Sequence, residues 1–166
     1  MPVTSNADEC IRAVSGVQKE LQTGLRFTCK RAAEHARDEV RDQIPPPRGA
    51  GRFPGYAATG RLRGNVVSND PTRTSGGWQA SVYVKDDAVT NKYARIHNVG
   101  GIIVPRTKPY LVFQIQGHWV RTKKVIIRPK HYMELGFQRA QRTIGERVRE
   151  TFNSFLSRQF RAGGKG

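Results

Sequence analysis

The sequence predicts an α+β fold: an antiparallel sheet of about five strands packed against a long N-terminal helix and a C-terminal helix. Three observations carry this expectation. Near both ends of the chain apolar residues recur every three or four positions, the stripe of an amphipathic helix. Between them the pattern changes to alternation in short runs punctuated by Gly, Pro, Asn and Asp, as in half-buried strands joined by turns. Helix, then strands, then helix favours helices gathered on one face of a sheet over alternating βαβ units. At 166 residues the chain is the size of a single domain.

The first segment, 1–44, reads as the N-terminal helix. From about Asn6 to Asp42 the apolar positions are Ile11, Val14, Val17, Leu21, Leu25, Ala32, Ala36 and Val40. Ser5 or Asn6 is placed to cap the start, with Asp8 and Glu9 in the first turn, where the helix dipole favours anions. Gly16 and Gly24 each cost about 1 kcal/mol relative to Ala in a helix interior. An unbroken helix of this extent is roughly 55 Å long at 1.5 Å per residue, more than a domain of this size can cover. Part of the stripe is therefore expected to meet another chain. Cys10 and Cys29 lie on the same helix roughly 28 Å apart, too far to bridge, and are expected to be small buried thiols.

Pro45, Pro46 and Pro47 stop this helix, because proline lacks the amide donor and clashes with the preceding turn. Residues 45–58 are rich in Gly, Pro and Arg without periodicity and are expected to form an arm that orders on assembly. The sheet is expected over 59–128. Arg61–Ser68 reads as its first strand. Trp78–Lys85 reads as the second, with Trp78, Ala80, Val82 and Val84 on one face. The third and central strand is Tyr93–Val99, ended by Gly100 and Gly101. Tyr110–Gln116 and Trp119–Arg128 then flank Gly117-His118 as a hairpin. Pro129 is suited to the first turn of the C-terminal helix over 129–160, whose stripe runs through Met133, Phe137, Ala140, Ile144, Val148, Phe152, Phe155, Leu156 and Phe160. Residues 161–166 are expected to be a flexible tail.

Charge is the strongest feature of the composition: 29 Lys and Arg against 13 Asp and Glu, a formal +16. Residues 1–45 hold seven acids and seven bases, so the whole surplus lies beyond them. Residues 46–130 alone carry 15 bases and 3 acids. A surplus confined to one part of a chain points to a polyanionic neighbour, set against a merely solubilising surface. There is no run of 18 apolar residues and no basic start followed by an apolar stretch, so a membrane span and a secretory signal are not expected, and a cytoplasmic site of synthesis is. No CxxC, paired carboxylates, GxSxG, phosphate-cradling loop or HExxH occurs. Neither a metal, a cofactor nor an enzymatic activity is expected.

A long amphipathic helix, a proline break, the Thr59-Gly60-Arg61-Leu62-Arg63 element, the YARIHNVGG run from Tyr93 to Gly101, and a basic strand ending in Ile127-Arg128-Pro129 before a final helix together resemble the neck or tail-completion proteins of tailed bacteriophages. These families are described as head–tail connectors, tail components and virion morphogenesis proteins. The similarity spans Glu9 to Phe155. It departs after Arg128-Pro129, where Lys130-His131-Tyr132 replaces a more usual Pro-Phe ending. The resemblance implies a structural virion protein, in a ring commonly of six subunits, joining the DNA-filled head to the tail and letting genome DNA pass. The implied partners are copies of the chain, portal-side connector and tail-tube or tail-terminator proteins, and DNA in the lumen. The implied location is the virion neck, with assembly in the host cytoplasm. The alternatives are a tail terminator capping the tube and a freestanding basic nucleic-acid-binding protein.

Arg106, Lys108, Arg121, Lys123 and Lys124 are the candidates for contact with DNA or an acidic partner, against plain solvent exposure. Arg61, Arg63, Tyr93, His97, Ile11, Val14 and Leu21 are the candidates for a subunit interface, with lumen contact the alternative for the two arginines. Trp78 and Trp119 are read as core or interface anchors in preference to base-stacking platforms.

Overall fold

The computed structural model describes residues 4–44, 60–86, 90–115 and 117–163, with side chains 4–9, 91–93, 115 and 160–163 outside that description. The 45–58 arm, Thr59 and the tail from 164 lie outside the described residues. The fold is α+β. Its elements are α1 (Thr4–Asp42), α2 (Arg61–Asn65), β1 (Val66–Ser68), β2 (Thr72–Thr74), β3 (Gly77–Gln79), β4 (Val82–Val84), α3 (Thr90–Val99), β5 (Gly101–Ile103), β6 (Leu111–Ile115), β7 (His118–Thr122), β8 (Val125–Ile127) and α4 (Tyr132–Gly163). The strands form four antiparallel pairs, β1–β4, β2–β3, β5–β8 and β6–β7, where the sequence predicts one sheet of about five strands.

The chain divides into two compact units. The first holds Met1–His35, Asn69–Ser81 and Thr143–Gly166. In it α1 runs unbroken through Gly16 and Gly24, because the ring of Phe155 on α4 occupies the space a side chain at Gly24 would need. His35 Nε2 and the Thr143 hydroxyl are 2.7 Å apart, and Ala33 and Thr28 are buried. Helix α1 starts at Thr4, so Asp8 and Glu9 fall outside its first turn, which contains no acid. The stripe is graded along its length. Ile11, Val14 and Val17 are 63, 67 and 68% exposed and Leu21 is 42% exposed, whereas burial begins only further along α1. Cys10 is exposed and Cys29 half-buried, which corrects the expectation of two buried thiols.

The second unit holds Ala36–Ser68 and Val82–Arg142, and its core is Val40, Ile44, Val66 and Tyr132, with Leu62, Val82, Val84 and Met133 against them. Arg61–Asn65 is a turn of helix entered through Gly60 in the left-handed region, and only Val66–Ser68 is strand. The Trp78–Lys85 run is likewise two strands with different partners, β3 on β2 and β4 on β1. Its alternation survives the division: Trp78, Ala80, Val82 and Val84 are half-buried, and Gln79, Ser81, Tyr83 and Lys85 are exposed.

The largest correction concerns Tyr93–Val99, which is helix α3 and not a central strand. A run this short satisfies both periods, since Ala94, His97 and Asn98 share one helical face as readily as alternate residues share a sheet face. What decides is the ending. Gly100 has φ +76°, the left-handed residue that follows a helix, and a Cβ there would meet the Ile127 carbonyl at 2.9 Å. The carbonyls of His97 and Asn98 accept from the amides of Lys130 and His131 at 3.0 and 2.9 Å. Asn98 Oδ1 then accepts from the Met133 amide at 3.1 Å, satisfying a donor in the first turn of α4. The buried Tyr132 hydroxyl donates to the Ala94 carbonyl at 3.2 Å. Helix α4 begins at Tyr132, not Pro129, and His131 before it has φ +48°. Gly136 admits the backbone of α1 at Val40, where a Cβ would overlap Val40 Cα.

Candidate functional site

The hairpin β6–β7 is a strong amphipathic element. Pairing runs from Leu111↔Thr122 to Ile115↔His118, and Gly117 in the connection has φ +84°, which glycine adopts at no steric cost. The turn is thus Gln116-Gly117, and His118 opens β7. Leu111, Phe113, Val120 and Thr122 form the half-buried face. The other face presents Val112 at 60% and Trp119 at 73% exposure, and Arg121 opposite Val112. The Arg121 guanidinium lies over the Tyr110 ring, 3.7 Å from its centroid. Stacking fixes the plane of the cation and leaves its N–H edge directed to solvent, the geometry that takes a carboxylate or phosphate.

Lys123 and Lys124 occupy the turn between β7 and β8 and are exposed. The Thr122 hydroxyl holds that turn by donating to the Lys124 carbonyl at 2.9 Å. Arg106 and Lys108 are exposed in the β5–β6 loop, which enters the hairpin beside Leu111, the partner of Thr122. Topology therefore gathers all five predicted cations at one end of the hairpin. The adjoining β5–β8 pair sets Ile102 directly opposite Ile126, each 63% exposed. Such a surface of aromatic, aliphatic and cationic side chains has the composition of interface hot spots.

The predicted interface residues separate. Ile11, Val14 and Leu21 form the exposed stretch of α1. Arg61 is exposed at the start of α2. Arg63 is engaged within the chain: it donates to the Arg41 and Ile44 carbonyls at 2.7 and 3.1 Å and pairs with Asp42 at 2.7 Å. A cation is thereby placed on the last carbonyls of α1, where the dipole favours it. His97 is half-buried on α3, and burial, then the charge of Lys130, push its imidazole below the usual range. Tyr93 has a helical backbone and a side chain outside the described residues. Sequence reasoning missed Asn98 and Tyr132, which tie α3 to the start of α4. The signal was present in Asn-Val-Gly, a helix ending. Comparison with protein-family models, curated proteins and solved structures found no match.

Proposed function

We propose that the chain is a structural protein of a tailed-phage virion, a neck or tail-completion subunit that assembles into a ring, commonly of six, joining head to tail around the passing DNA. Its role in this reading is assembly and not catalysis, in the virion after assembly in the host cytoplasm. The observation that carries the proposal is the leading part of α1. Ile11, Val14 and Val17 stand on one helical face and are about two-thirds exposed, in an unbroken helix of 39 residues. Apolar helix faces are stable when covered, and heterologous contacts between copies that close on themselves make rings. The cationic, aromatic hairpin supports a second contact, with DNA or with an acidic neighbouring ring. Among the described residues no helix is long and apolar enough to cross a membrane.

Charge reversal at Lys123 and Lys124 tests the second contact. Both side chains are exposed, so folding is expected to be unchanged, while the joining of heads to tails is impaired. Normal infectivity of such particles would exclude a contact role for this turn.

A further inference from the structure

The charge tally makes residues 1–45 neutral, but the first unit brings three cations together where no carboxylate intervenes. An open groove of about 410 Å³ lies between α1 and the β2–β3 hairpin, lined by Lys19, Gln22 and Arg26 from α1 and by Arg73 and Trp78 from the hairpin. None of the residues lining it is acidic. Trp78 Nε1 donates to Gln22 Oε1 at 3.1 Å, and the Arg26 guanidinium lies 5.7 Å from the Trp78 ring centroid, so the indole braces the floor. Asp70, the acid closest in sequence to Arg73, is held by Lys30 at 2.7 Å. Lys30, then Arg26, keep its carboxyl below the usual carboxylate range.

We infer that this groove is a phosphate-backbone site for nucleic acid, separate from the cations of the β6–β7 hairpin. The groove offers cations, amide groups and hydroxyls, the donor set that takes phosphate oxygens. Its shape selects a linear polyanion. Lys19 and Arg26 are two turns apart, roughly 10 Å along α1, which forms a row of charge and not a single focus. Duplex DNA carries a phosphate about every 1.7 Å of its axis and matches such a row, whereas a lone small anion engages one end of it. The inference rests on the nucleic-acid part of the proposed function and assigns it a second contact.

The test is the affinity of the full chain for a short labelled DNA duplex over a range of salt concentrations. Lys19→Gln with Arg73→Gln alters two exposed side chains, and matched far-UV circular dichroism checks the fold. The pair is expected to weaken binding about tenfold and to lower the salt slope by about two. A Lys123→Gln, Lys124→Gln protein retains the groove's contribution. In a Trp119→Phe background, where Trp78 is the remaining indole, duplex is expected to shift the emission. Unchanged affinity and slope in the groove variant overturn the site while leaving DNA contact by the hairpin intact. A wild-type chain that does not bind duplex overturns the nucleic-acid reading itself. Equal binding of polyglutamate, lost in the groove variant, overturns the phosphate assignment in favour of an acidic protein.

Discussion

Arg63 and two glycines of α4 show how single residues set local structure. Arg63 bonds two carbonyls and a carboxylate at the end of α1, and charged hydrogen bonds of this kind are worth about 1.5 to 3 kcal/mol. Arg63→Ala is expected to cost about 2 to 3 kcal/mol in chemical denaturation, with Arg63→Lys recovering only part, since an ammonium cannot reproduce the fork. Gly136→Ala and Gly145→Ala are expected to have opposite signs. Both gain up to about 1 kcal/mol of helix propensity. At Gly136 the added methyl meets α1 backbone, while at Gly145 it meets nothing within 4 Å. Overpacking costs about 1 to 3 kcal/mol, and backbone cannot step aside, so Tm falls for the first and rises for the second. His97 gives the molecule an acid sensitivity. Its folded-state imidazole is pushed below the ordinary value by burial and Lys130, so the unfolded chain binds the proton more readily. Its contribution is complete above the ordinary imidazole range and is lost as pH falls through the depressed one. Tm is expected to drop between about pH 7.5 and about pH 5.5, and to drop less in His97→Gln.

At the scale of elements, the two long helices were legible in the sequence to within a few residues, because a stripe repeated over many turns has no competing explanation. The short elements were not. The Tyr93–Val99 run fits either period, and its identity is set by Gly100 and by Tyr132, nearly forty residues on, whose hydroxyl meets the Ala94 carbonyl. Arg61–Asn65 is helical because Gly60 turns the chain into it and accepts from the Gly64 amide at 2.8 Å. Side-chain alternation in Trp78–Lys85 was readable, whereas the exchange of partner strand midway was not, since it depends on pairing distant in sequence. Of the candidate residues, the five hairpin cations could be read as exposed from their alternation with apolar neighbours. Arg63 could not be read as a helix clamp, because its acceptors lie some twenty positions earlier. The α4 stripe also proves uneven: Ile144 and Phe152 are half-buried and Val148 is 38% exposed. Replacing all three with Ala is expected to lower Tm, with Ile144 and Phe152 carrying most of the loss and Val148→Ala alone close to neutral.

For the whole molecule, the account turns on an apolar stripe that the chain leaves uncovered on α1 and a cationic surplus concentrated beyond it. A solitary soluble chain has no use for either, while a subunit of a closed assembly around a polyanion uses both. Light scattering coupled to size exclusion tests this most directly, comparing the native chain with an Ile11→Gln, Val14→Gln, Val17→Gln variant. Glutamine is a better helix former than Val or Ile, so the variant keeps its helix content. The account predicts that the native chain forms a discrete oligomer at high protein concentration and that the variant runs as a folded monomer. A native chain that stays monomeric at every concentration, or a variant that assembles as the native chain does, would contradict it.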